Sequence, residues 1–168
     1  MQTGEQAEST LLGLGLLHEQ QVVDSYSVVD HRAAHGRSHQ IHKLIVDDRA
    51  HGIFNGKLLV QQAAQLTEAA QSSRNLLLAK QARVDTRPQL EIFADNVKCA
   101  HGATVSQLEE DEIFYLLSRG ISREQAQELL TYAFAAEIIQ TLPIASIRQA
   151  LRDQVLQKTR LQAVATLK

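Results

Sequence analysis

The chain has 168 residues, 44% of them apolar and 21% charged, with a formal net charge of −2. That length suits one domain, or one domain with a helical appendage, and that charge balance leaves no broad footprint for nucleic acid or an anionic membrane. A single cysteine excludes an internal disulfide, and no apolar run is long enough to span a bilayer.

Residues 1–9 have no strand-cap pattern, so they are expected to be disordered or the truncated start of a longer chain whose earlier rungs are absent. Leu11-Leu12-Gly13-Leu14-Gly15-Leu16-Leu17 has the look of a signal segment. Glu5 and Glu8 precede it in place of basic residues, and His18-Glu19-Gln20 is a poor cleavage context. The cytoplasm is therefore the expected compartment.

From 10 to 105 aliphatic runs alternate with polar doublets. Leu44-Ile45-Val46 precedes Asp47-Asp48, and Leu58-Leu59-Val60 precedes Gln61-Gln62. Leu76-Leu77-Leu78-Ala79 precedes Lys80-Gln81, and Leu90-Glu91-Ile92-Phe93-Ala94 precedes Asp95-Asn96. The doublets recur at intervals of roughly 14 to 19 residues, a spacing that solenoid rungs tolerate. Short strands of this kind bury their inner face by stacking, which predicts a mainly β fold built as a β-solenoid or stacked sheet. An antiparallel sandwich fits the same pattern. The scarcity of aromatics, with no Trp, three Tyr and four Phe, favours stacked aliphatic layers.

After Ser106 the apolar spacing becomes helical, predicting a small C-terminal helical domain over 106–158 and a frayed tail over 159–168. Leu108, Ile113, Phe114, Leu116 and Leu117 mark a first helix, which Gly120 stops. Ser122-Arg123-Glu124-Gln125 reads as a capping box for a second, with Ala126, Leu129, Leu130, Ala133, Phe134 and Ile138 as its apolar stripe. Pro143 bounds that helix, and a third begins near Ile144 with Ile147, Leu151 and Val155 on one face. These helices could cap the sheet, bind a partner, or both.

The chemistry is concentrated where sheet gives way to helix, in Val97-Lys98-Cys99-Ala100-His101-Gly102-Ala103-Thr104-Val105. On a strand, residues i and i+2 face the same way, so Cys99 and His101 would present a thiol and an imidazole together. Such a pair can ligate a soft or borderline metal, or act as a nucleophile beside its base; a buried Cys next to an exposed His is the plain structural alternative.

Five stretches in this order resemble one known family. They are Phe54-Asn55-Gly56-Lys57; Gln71 with Arg74-Asn75-Leu76-Leu77-Leu78; Asp85-Thr86 with Pro88-Gln89-Leu90-Glu91-Ile92; Val97-Lys98-Cys99 with His101-Gly102-Ala103-Thr104-Val105; and Phe114-Tyr115-Leu116 with Ser118-Arg119-Gly120-Ile121. Together they are similar to the core domain of the SufB/SufD proteins of the SUF iron–sulfur cluster assembly system, in its SufD-like form. The resemblance runs from about Asp30 to Leu142 and implies a right-handed parallel β-helix followed by helices. Family members are more than twice as long, so it covers only their C-terminal part. It also implies a non-catalytic scaffold with two partners: a SufB-like paralogue met through the β-helix, and a SufC-like ATPase held by the C-terminal helices.

By position, the resemblance makes Cys99 and His101 metal-ligand candidates for a transient iron–sulfur cluster at the subunit interface, the histidine being the stronger. Phe114, Tyr115 and Arg119 become candidate ATPase contacts. Asn96, Ser106 and Ser73 depart from the family pattern, and none touches the Cys99/His101 pair. His31, His35, His39, His42 and His51 fall among strands and turns, where a spacing of four does not make a shared face, and are expected to be structural. No phosphate-binding Gly-rich loop ending in Lys-Ser or Lys-Thr is present, so this chain is not expected to bind nucleotide. Glu109-Glu110-Asp111-Glu112 reads as favourable charge at a helix start, and Asp47-Asp48 as a turn. A thiol enzyme built on Cys99 and His101, or an interaction module without metal, are the competing functions.

Overall fold

Seven strands occupy the first part of the chain in the computed structural model, which describes residues 1–158: β1 (Glu8–Leu17), β2 (Val22–His31), β3 (Arg37–Val46), β4 (His51–Val60), β5 (Glu68–Leu77), β6 (Arg83–Ile92) and β7 (Lys98–Ser106). The aliphatic runs begin within β3 to β6; the first two end with their strands, the other two run two residues past theirs, and the polar doublet after each belongs to the turn or connection that follows. Because the chain turns after every strand, each strand pairs with the next but one. The odd strands form a sheet β1-β3-β5-β7 and the even strands a sheet β2-β4-β6. Every pairing within them is parallel, so the architecture is a parallel β-helix and not an antiparallel sandwich.

Strand alternation defines the lumen. Along β4, Gly52, Phe54, Gly56, Leu58 and Val60 are buried while the residues between them are half-buried. The apolar inward residues form two clusters. One contains Leu17, Leu44, Val46, Ala50, Phe54 and Ala82; the other contains Val29, Leu58, Val60, Ala64, Ala69 and Ala94. Phe54 is the large ring of the core, and His42 stacks on it with centroids 4.0 Å apart. The other members of the two clusters are aliphatic.

The segment before β1 is tied to the coil by backbone hydrogen bonds. Gln2 N–H donates to the Asp30 carbonyl at 2.8 Å, Arg32 N–H donates to the Gln2 carbonyl at 2.9 Å, and β1 starts at Glu8. Backbone pairing of Gln2 alongside His31 gives this segment a place on the coil that its side chains alone do not announce.

Three helices follow: α1 (Glu110–Leu117), α2 (Arg123–Gln140) and α3 (Ala145–Lys158). They belong to a second compact unit that begins at Gln107. Gly120 takes φ +82°, and the Ser122 capping box is formed in both directions. The buried face of α2 is rotated from the predicted stripe: Ala126, Thr131, Ala135, Ala136, Ile138 and Ile139 are buried, whereas Ala133 is exposed. Ile147 is likewise exposed, while Val155 and Leu156 are the buried residues of α3. The expected frayed tail at 159–168 lies outside the described residues.

Candidate functional site

Cys99 and His101 lie on β7, the last strand of the odd sheet, which is hydrogen-bonded only to β5 within it. Register places Cys99 beside Ala69 and His101 beside Gln71. Ala69 and Gln71 are buried inward residues, so both β7 side chains face the lumen from its end rung. They share one face, with Cα atoms about 6.6 Å apart at ordinary strand rise. Cys99 is half-buried and His101 exposed, so the rung is accessible at this end.

The two side chains meet different surroundings. Cys99 packs against the second apolar cluster, as do Leu90 and Val97. Burial pushes its thiol above the ordinary range, and a hydrogen bond with the Ala69 backbone only partly opposes that. The thiol is therefore protonated near neutrality, and a metal ion must displace a proton to bind it. Cys99 also lines an open groove of about 760 Å³ at the start of the odd strands, with Ser9, Ser38 and Ala69. One rim of that groove is a ladder of alternating charge, Glu8, Arg37, Glu68 and Lys98, with N–O separations of 3.2, 3.7 and 3.5 Å.

His101 instead continues a polar column. Gln40 donates from Nε2 to Ser27 Oγ at 2.5 Å, and Gln71 donates from Nε2 to Gln40 Oε1 at 3.0 Å. Gln40 and Gln71 are 2% and 3% exposed. Among the described residues Gln71 Oε1 has no hydrogen-bond partner, which costs about 1–3 kcal/mol for a buried acceptor. A second polar group sits one step along the lumen, where Thr86 Oγ1 donates to Ser73 Oγ and Asn75 Nδ2 donates to Ser73 Oγ and the Thr104 carbonyl. Sequence reading missed this polar interior. Its signal was a separation of 31 residues between Gln40 and Gln71, about one rung of the coil.

The remaining histidines scatter. His31 is fully buried, with Nε2 2.8 Å from Ser38 Oγ. His35 occupies a turn at φ +60°, and His51 Nε2 lies 2.7 Å from Asp85 on the outer face. His42 is on Phe54. Among the described residues no three His, Cys, Asp or Glu side chains converge in the manner of a metal site. In the helical unit Phe114 is 70% and Tyr115 55% exposed, and the Arg119 guanidinium lies 4.4 Å from the Tyr115 ring centroid. Among the described residues no helix is long and apolar enough to cross a membrane.

A family model for the SufBD core domain of SUF-system FeS cluster assembly matches residues 1–134. The chain is 50% identical over 158 residues to an iron–sulfur cluster assembly SufBD family protein of Synechocystis sp., covering 92% of this chain and 35% of that protein. It is 40% identical over 155 residues to the iron–sulfur cluster assembly protein SufD of Escherichia coli, covering 92% and 37%. With SufD of Bacillus subtilis the identity is 35% over 116 residues, covering 69% and 26%. The chain thus spans about a third of the length of the first two.

Proposed function

This chain belongs to the SufBD core-domain family of the SUF iron–sulfur cluster assembly system, and on that premise we propose that it is a scaffold subunit contributing Cys99 and His101 to a cluster assembled against a neighbouring chain. The observation that carries this is the shared lumenal face of the two side chains on an accessible end rung. Iron and sulfide are the cargo. A thiolate and an imidazole fill only two positions on an iron that takes about four ligands, and sulfide and a partner chain supply the rest. Imidazole is the weaker, proton-sensitive ligand, which suits a site that must release what it builds. The raised Cys99 thiol acts in the same direction, since its proton competes with iron.

In this reading a SufB-like paralogue approaches through the β-helix, where β7 is an edge able to accept further pairing. A SufC-like ATPase docks on the helical unit through Phe114, Tyr115 and Arg119. Exposed aromatics beside an arginine are the residue types that dominate protein interfaces. The complex works in the cytoplasm, and this chain binds no nucleotide itself. A thiol enzyme is disfavoured because its nucleophile would need a lowered thiol pKa, the opposite of what burial does to Cys99.

The test is anaerobic reconstitution of the full-length protein with its partners, iron and sulfide, followed by visible absorption. His101→Ala and Cys99→Ala are expected to weaken the chromophore, with His101→Ala the more damaging. An undiminished chromophore in His101→Ala removes the ligand role. Release of a co-purified ATPase by Phe114→Ala or Arg119→Glu supports the docking surface, and unchanged co-purification in both removes it.

A further inference from the structure

Gln71 commits its amide N–H to Gln40 on the β3 side, 3.0 Å away. An amide that donates in one direction along the coil presents its carbonyl in the other. By that geometry Gln71 Oε1 is left to face β7, and among the described residues it is one of four buried polar side-chain atoms without a hydrogen-bond partner. The residue in register with Gln71 on β7 is His101. One inter-strand step is already closed by a hydrogen bond between Gln40 and Gln71, and the same step separates Gln71 from His101.

We propose that Gln71 is a positioning residue for His101: its Oε1 accepts the N–H of one imidazole nitrogen, so that the other is held unprotonated and aimed out of the lumen end. This rests on the reading of His101 as a ligand. The column Ser27–Gln40–Gln71–His101 then runs in one sense, each amide donating back along the coil and accepting from the next rung. A histidine that binds metal through one nitrogen commonly donates its other N–H to a fixed acceptor, which sets the tautomer and the ring orientation. Gln71 can serve because it is itself fixed: its amide fills the space against Gly56, which has no side chain to displace it. The empty acceptor is thereby satisfied by the residue whose orientation matters.

The test is nitrogen-15 NMR of the histidine rings in the full-length protein, with His101 assigned by loss of its signals in His101→Ala. One predominant tautomer is expected for the neutral His101 ring of wild type. Gln71→Leu should give the mixed tautomers of a free imidazole, and Gln71→Glu, which keeps an acceptor oxygen, should retain the preference. Circular dichroism checks that each variant is folded. Mixed tautomers in wild type overturn the proposal without recourse to any variant, as does a preference unchanged in folded Gln71→Leu. In the reconstituted complex Gln71→Leu should weaken iron binding about 10- to 100-fold. If His101→Ala leaves cluster formation intact while Gln71 still sets the tautomer, only the ligand reading fails. If His101→Ala abolishes the cluster while the tautomer ignores Gln71, only the positioning role fails.

Discussion

Gly56 and Gln71 share one volume of the lumen: the Gln71 amide occupies the place a Cβ on Gly56 would need, and Phe54 Cζ lies 2.6 Å from the same point. Neither neighbour can yield freely, since Phe54 is fully buried and Gln71 is tied to Gln40. Gly56→Ala should therefore overpack the core and lower stability by about 1–3 kcal/mol. A urea titration should show a lower midpoint at an unchanged slope.

Phe54→Ala removes the large ring of the core and the surface on which His42 stacks. The expected loss is about 3–5 kcal/mol. Thermal unfolding of the variant measures it directly.

Acid should weaken the β-helix before the carboxylates titrate. Burial holds His31 and His42 below the ordinary imidazole value of 6.5, the nearby Asp30 only partly offsetting this at His31. The unfolded chain thus takes up protons that the folded one refuses, so stability is complete above 6.5 and falls as pH drops through the depressed folded values. His42→Phe should reduce this loss and leave the part due to His31. Denaturant midpoints from pH 8 to about 5 report it.

Cys99 should behave as a slow thiol. Burial raises it, so alkylation of the folded protein near neutral pH should lag a free cysteine and accelerate only in alkali. Because the folded thiol holds its proton more tightly, its contribution to stability is intact below the unfolded value and is lost as pH rises through the folded one. The alkylation rate against pH, in folded and urea-unfolded protein, shows the separation between the two.

Ser122 accepts from Gln125 N–H at 3.2 Å and Gln125 Oε1 accepts from Ser122 N–H at 3.3 Å. Ser122→Ala should destabilise the helical unit by about 1 kcal/mol and leave the β-helix unaffected. Helical ellipticity on heating, compared with wild type, tests this.

Local signals were legible where neighbours along the chain decide the outcome. The Ser122 box and the left-handed Gly120 formed as their residues predict, because both are settled within a few residues. Other turns carried no such mark. Leu66 adopts φ +61° although leucine disfavours it, held there by its N–H donating to the Asn96 carbonyl at 2.7 Å. That bond comes from the next rung, and nothing near Leu66 in the sequence announces it. The rotated stripe of α2 has a related origin, since a helix with apolar residues on several sides does not disclose which side will be covered.

The sequence by itself determined that aliphatic strands would alternate with polar turns, that helices would follow Ser106, and that Cys99 and His101 would share a face, because strand and helix periods are properties of the local backbone. Only the tertiary structure decided that Gln40, Gln71 and His101 lie in one lumenal column and that Cys99 abuts an apolar cluster. Coiling brings residues about one rung apart into contact across hydrogen-bonded parallel strands, and that coincidence of register is written in no single stretch of chain.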